Sequence, residues 1–143
     1  MRVTPFEPWH VDLLIAQGVQ PAQRAEVSLV PGSYASLPRP PGPALTAWDD
    51  AERVIIVGGI VSRTPMHGEF WGLVSDRAGP HMLAITRGLR RFLAMQPYQR
   101  IEATVVEGFG PGCRWLNLLG FEYEGPARRY GPQGETHHRY ART

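Results

Sequence analysis

Apolar positions along the chain change their spacing several times, and each change marks an element. MRVTPF fits a short strand, and after Pro8 the residues Val11, Leu14 and Ile15 recur at helical spacing. Gly18 closes that helix, and Pro21, suited to a first helical position, opens a second over roughly 21–29. PGSYASLPRPPGP follows with Pro31, Pro38, Pro40, Pro41 and Pro43, and sustains neither a helical nor a strand period. As an inter-domain linker it would leave too little chain before it, so it reads as a loop over 31–43 inside one domain. ALTAW, RVIIVGGIVS and EFWGLVS are then three β-branched or aromatic runs separated by DDAE and RTPMHG. Together they predict an antiparallel meander over 44–75. Gly58 and Gly59 in its middle run and Gly72 in its third mark a bulge or a close approach by another backbone or a ligand.

Downstream, Met82, Ile85, Leu89, Phe92 and Leu93 form one stripe while Arg87, Arg90 and Arg91 fall elsewhere, which predicts a main amphipathic helix over 80–95. RIEATVVEGF is a strand, CRWLNLL a short helix stopped by Gly120, and FEYEG and THHRYAR two strands around GPQG, all within 100–142. The order is β, α, α, β, β, β, α, β, α, β, β. It describes one α/β (α+β) domain over 1–143, with its N-terminal helices at 8–29, and no internal repeat.

Composition adds few constraints. The chain is 43% hydrophobic and 20% charged, as expected of an ordinary globular domain, and its 14 prolines and 16 glycines fit the many turns. All 15 basic residues are arginine, a preference open to three readings: base composition of the gene, a need for planar phosphate- or carboxylate-binding forks, or avoidance of acylable lysine. A formal charge of +2 does not indicate nucleic acid. A single cysteine, Cys113, excludes an internal disulfide and fits a reducing compartment. The start lacks the pattern of a secretory leader and no apolar run is long enough to span a bilayer, so a cytoplasmic protein without a membrane partner is expected.

The element order, with RWLNLLGFEYEG and RRYGPQGETHHRYAR, resembles the Gcn5-related N-acetyltransferase superfamily over roughly residues 44–142. PWHVDLLIAQGVQP, VGGIV, FWGLVSD, RGLRRFL and RWLNLLGFEYEG also resemble the small internal virion proteins of short-tailed phages, a group itself similar to the acetyltransferase fold. The superfamily resemblance implies a central mixed, mostly antiparallel sheet of six to seven strands flanked by about four helices. It also implies that the sheet splays between its fourth and fifth strands to admit acetyl-coenzyme A as cosubstrate. The coenzyme contacts would then fall at the end of the third meander strand, Leu73 and Val74, and in the turn DRAGPHM, at Arg77, Gly79, His81 and Met82.

That turn departs from the family's Arg/Gln-x-x-Gly-x-Gly/Ala text. Pro80 removes an N–H donor, and His81 and Met82 replace small residues. With Gly79 as cap and Pro80 as first helical residue, His81 and Met82 would still offer N–H groups to the coenzyme's pyrophosphate. The alternative reading is a helix start with proline in its favoured place. The family's general-acid tyrosine falls at Leu116 here, so Tyr123 or Tyr130 would have to substitute. Glu69 and Glu107 are the candidate bases, with His67 and His10 as alternatives. Cys113, beside Arg114, is either a reactive thiol or small core filler. His137 and His138 alternate across a strand and cannot share a metal ion, so no metal site is expected.

Two functions follow from these readings. One is an acyl-coenzyme-A-dependent transfer of acetyl to a primary amine on a small molecule or macromolecule. The other is a catalytically degenerate descendant of the fold serving as an internal virion or host-interaction component, in host cytoplasm or virion. Nucleic acid binding through Arg87, Arg90 and Arg91 is a weaker expectation than a solvated helix face.

Overall fold

The computed structural model describes residues 1–24 and 32–143. Its strands are β1 (Arg2–Pro5), β2 (Ala44–Trp48), β3 (Val54–Ser62), β4 (His67–Val74), β5 (Arg100–Val106), β6 (Glu122–Ala127) and β7 (His137–Arg142). Its α-helices among the described residues are α1 (Trp9–Gln17), α2 (Met82–Ala94) and α3 (Gly110–Leu118). The strands form one seven-stranded sheet in the order β1-β2-β3-β4-β5-β7-β6. The β1–β2, β2–β3, β5–β7 and β6–β7 pairs are antiparallel and the β4–β5 pair is parallel. The second helix expected over 21–29 begins as a 3-10 turn, Pro21–Gln23. Its residues 25–29, like Pro31 of the proline-rich loop, lie outside the described residues.

The chain divides into two compact units, one formed by Met1–Val61 with Trp71–His81 and the other by Ser62–Phe70 with Met82–Thr143. The first unit is centred on Phe6, Val11, Leu14, Val19, Trp48, Val54 and Val57, with Trp71 and Leu73 packed against them. Leu14 and Val57 are fully buried, so each contributes roughly 1.5–3 kcal/mol of transfer free energy. Gly58 and Gly59 are sites of close backbone approach. A Cβ at Gly59 would stand 2.2 Å from the Pro43 carbonyl oxygen, and one at Gly58 2.6 Å from that of Trp71. Gly72 differs, since its Cβ would meet nothing nearer than 3.6 Å.

The described part of the proline-rich loop is tied to α1. Asp12 accepts hydrogen bonds from the Ser33 hydroxyl at 2.7 Å and from the N–H groups of Tyr34 and Ala35 at 2.8 and 2.9 Å. Burial pushes the Asp12 pKa up, but these three donors outweigh it and hold the carboxyl below the usual range. Arg39 adds a 3.0 Å bond from Nε to the Phe6 carbonyl and a 3.0 Å ion pair with Glu7.

In the second unit the stripe read from the sequence turns inward. Ile85 and Leu93 are buried, Met82, Leu89 and Phe92 half-buried, and Arg87, Arg90 and Arg91 exposed. Trp115 of α3 donates its indole N–H to Thr86 of α2 at 2.8 Å. Phe70 stacks on Phe121 with ring centroids 5.6 Å apart. Gly120 takes φ 92°, the left-handed conformation expected where α3 ends.

Candidate active site

The β4–β5 ladder covers only His67–Glu69 against Arg100–Glu102. Further along β4, the Ser75 N–H donates to the Ile55 carbonyl of β3 at 2.8 Å. Because backbone groups alternate along a strand, Gly72 and Val74 present theirs to the opposite edge. That edge is satisfied within the first unit by residues after α1. Gln23 Nε2 donates to the Gly72 carbonyl at 2.6 Å, and the Val74 N–H donates to Gln23 Oε1 at 2.9 Å. The Gln20 N–H donates to the Val74 carbonyl at 2.9 Å and the Asp76 N–H to the Gly18 carbonyl at 3.1 Å, around an antiparallel bridge of Val19 with Ser75. Val74 is buried and Leu73 half-buried against the core, so neither side chain is offered here, and of the two only Val74 turns its backbone to this edge. The Trp71 indole N–H is buried without an acceptor among the described residues.

The turn that follows uses most of its own donors. The Arg77 N–H donates to Ser75 Oγ at 3.1 Å and the Ala78 N–H to the Ser75 carbonyl at 3.1 Å. Gly79–His81 form a 3-10 turn running straight into α2, and the His81 N–H donates to the Ala78 carbonyl at 2.8 Å. His81 is therefore not the free donor the helical reading predicts, because the tighter i→i+3 pattern consumes its N–H. Arg77 and Gly79 are exposed, His81 and Met82 half-buried, and a Cβ on Gly79 would meet nothing within 4 Å. The first turn of α2 carries no acidic side chain, so its positive dipole end is uncompensated locally.

The second unit carries the titratable groups. On β4 and β5, Glu69 stands in register with Glu102, and His67 with Arg100. Arg63 donates Nε to Glu69 Oε2 at 3.0 Å. Arg100 donates Nε to Glu102 Oε1 at 2.8 Å and its terminal nitrogens to Glu124, one of them at 3.1 Å. Hydrogen bonding to Glu124 and Glu102 raises the Arg100 pKa, and the same guanidinium holds the Glu102 and Glu124 carboxyls below their usual range. His67 Nε2 lies 3.3 Å from Glu102 Oε2, an ion-pair distance whose geometry is too far off line for a hydrogen bond. Glu69, a predicted base, is thus paired with Arg63.

Glu107 and Tyr123 are brought towards each other by His138. The Tyr123 hydroxyl lies 3.1 Å from His138 Nδ1, and His138 Nε2 lies 4.0 Å from Glu107 Oε1. Tyr123 and Glu107 are both exposed. Tyr123 also sits edge-on to Tyr140, whose hydroxyl is pushed up to about 12 by burial and by the neighbouring Cys113 side chain. Tyr130 packs against His137 instead, on the other face of β7. Leu116, where the resemblance would place a general acid, is buried.

His10, an alternative base, is a packing residue. It is buried among Phe6, Trp9 and Trp48, and burial lowers its pKa. Its Nδ1 accepts the Glu7 N–H at 3.1 Å, so the Thr46 hydroxyl, 2.7 Å away, must donate to the same atom. Sequence reasoning missed Gln23, Glu102 and His138 as parts of these constellations. Glu102 was recoverable, because it shares a strand face with Arg100 two residues away. No group of His, Cys, Asp and Glu among the described residues could hold a metal ion. No described helix is long and apolar enough to cross a membrane.

No family model matches the chain, and no curated protein sequence does. Solved structures with the same architecture include acetyltransferases. A spermidine N-acetyltransferase SpeG variant (F149G) from Vibrio cholerae superposes with TM-score 0.68 at 13% identity, over 99% of this chain and 92% of that one. The ribosomal-protein-S5-alanine acetyltransferase of Vibrio fischeri gives 0.65 at 15%, over 98% and 91%. A chimera of the Vibrio cholerae SpeG with hSSAT gives 0.55 at 14%, with 69% of this chain spanning 64% of its length. The fold is that of the Gcn5-related N-acetyltransferases: a mixed, mostly antiparallel seven-stranded sheet with helices.

Proposed function

We propose that the protein is an acyl-coenzyme-A-dependent N-acetyltransferase that moves acetyl from acetyl-coenzyme A to a primary amine by direct attack. The observation that carries this reading is the edge of β4. Its ladder with β5 ends at Glu69, and beyond it the Gly72 carbonyl and Val74 N–H are met by a side-chain amide. An edge that binds one N–H and one C=O suits the extended amides of a pantetheine arm. Exposed Arg77, in the turn after β4, suits its phosphates. The described acetyltransferases of this fold act on spermidine and on an alanine of ribosomal protein S5, which supports a primary amine as the acceptor class.

In the reaction the amine lone pair attacks the thioester carbonyl, the C–S bond breaks as the amide forms, the amine loses a proton and the thiolate gains one. The Tyr123–His138 pair is a suitable proton carrier, because an imidazole both accepts and donates. Thermal shift and calorimetry with acetyl-coenzyme A, followed by thiol release in the presence of amines, test the reading. A rise of several degrees and micromolar binding are expected, and absence of binding at millimolar ligand overturns it.

Leu116, buried where the family carries its acid, favours a second reading: a catalytically degenerate member of the fold with a virion or host-interaction role. Acetyl-coenzyme A binding without thiol release for any amine would select it.

A further inference from the structure

The Gln23 carboxamide makes a directional pair of bonds to a strand edge. The Gly72 carbonyl can only accept and the Val74 N–H can only donate, so the amide's orientation is fixed: Nε2 on Gly72 at 2.6 Å and Oε1 on Val74 at 2.9 Å. Gln20 holds it there, through a 3.0 Å bond from its own Nε2 to Gln23 Oε1 and through its backbone N–H on the Val74 carbonyl. The Gly72 carbonyl and both backbone groups of Val74 are already engaged. Gln23 sits in the Pro21–Gln23 turn, so its side chain can rotate away without moving a regular element.

We propose that Gln23 is a resident stand-in for the ligand's amide and must be displaced before an extended amide-bearing ligand can occupy the β4 edge. The proposal rests on the transferase reading for the identity of that ligand. Gln23 then sets the affinity, because apparent binding falls by the fraction of molecules in which the edge is open. Each net hydrogen bond is worth roughly two- to tenfold in an equilibrium, so removing the pair raises affinity on the order of tenfold.

The test compares wild type with Gln23→Ala in calorimetric titration with acetyl-coenzyme A and in hydrogen exchange at the Val74 amide. Binding about tenfold tighter in Q23A is expected, together with faster Val74 exchange in the free variant that slows again on ligand addition. Gln23→Asn, one methylene too short to span both groups, replaces Q23A if the latter does not fold. Equal or weaker binding by the variant overturns the displacement while leaving the transferase reading intact. No binding by either protein at millimolar ligand overturns both.

Discussion

Glu102 tests whether the carboxylates of the second unit act as bases or as fixed anions. Its Oε1 accepts the Arg100 Nε–H at 2.8 Å, with the two side chains 25% and 34% exposed respectively. A fully buried pair broken on one side costs about 3–5 kcal/mol, and a fully exposed one about 0–1 kcal/mol. Partial exposure places Glu102→Gln between these limits, and Arg100 keeps Glu124, so a loss of about 1–2 kcal/mol at pH 7 is expected. The pH dependence discriminates further. The folded-state pKa of Glu102 is depressed by Arg100, so its contribution is fully present above the unfolded value near 4.5 and disappears as pH falls through the folded value below it. Asp12, Asp49, Glu124 and Glu135 are lowered as well, so wild-type acid unfolding alone would not isolate Glu102. The difference between wild type and E102Q does. Urea unfolding of both at pH 7, 5, 4 and 3 should show that difference intact at pH 7 and 5 and shrinking towards zero at pH 3. A difference that stays constant to pH 3, or that vanishes between pH 7 and 5, would refute a low-pKa, arginine-held carboxylate. A difference that widens from pH 7 to pH 5 would instead mark Glu102 as a carboxyl whose folded-state pKa is raised.

Three other expectations use different parts of the molecule. Gly59→Ala forces a Cβ to within 2.2 Å of the Pro43 carbonyl oxygen, so strain of about 1–3 kcal/mol and a melting temperature several degrees lower are expected; an unchanged melt would show that β2 and β3 can part without cost. His10 has a lowered folded pKa, so below its unfolded value near 6.5 protonation favours the unfolded chain. The stability advantage of wild type over His10→Asn should therefore narrow from pH 7.5 to pH 5 in denaturant titrations, and widening would contradict a neutral buried imidazole. If the Tyr123–His138 pair carries a proton, Tyr123→Phe slows thiol release on the order of 10²-fold with acetyl-coenzyme A affinity unchanged. Equal rates would remove Tyr123 from the chemistry.

Much of this arrangement is readable from spacing, and the unreadable parts share a cause. The meander, the α2 stripe and the Gly120 helix end follow from local period and from glycine's freedom at φ 92°, so they appear where the sequence puts them. The 3-10 turn at Gly79–His81 is not readable, because proline suits the start of either helix type and only the hydrogen-bond pattern separates them. His138 and Tyr123 meet through strand register, with Tyr123 opposite Tyr140 and His138 two residues away on the same face of β7. That register shifts at a bulge between Tyr123 and Gly125, which no alternation in FEYEG reveals. Gln23 is the extreme case: a glutamine after a proline carries no periodic signal, and its bond to Gly72 spans 49 residues of sequence.

Under the proposed transferase reading, the departures from the pattern of the acetyltransferase resemblance bear on separate steps of one reaction. Leu116 is buried, so under this reading reprotonation of the thiolate is supplied elsewhere. A tyrosine held at a pKa of about 12, as Tyr140 is, gives up its proton reluctantly, whereas Tyr123 is exposed and already bonded to an imidazole that can return the proton. Gln23 acts on binding, and its effect is reversible because it consists of two hydrogen bonds from a turn. Under that reading, loss of the usual acid would lower a rate constant and an occupied edge would lower an affinity. A fold that had simply decayed would show loss in both and no recovery on substitution. A gated enzyme shows recovery of affinity in Q23A while Tyr123→Phe lowers only the rate, so the two measurements together separate degeneration from control.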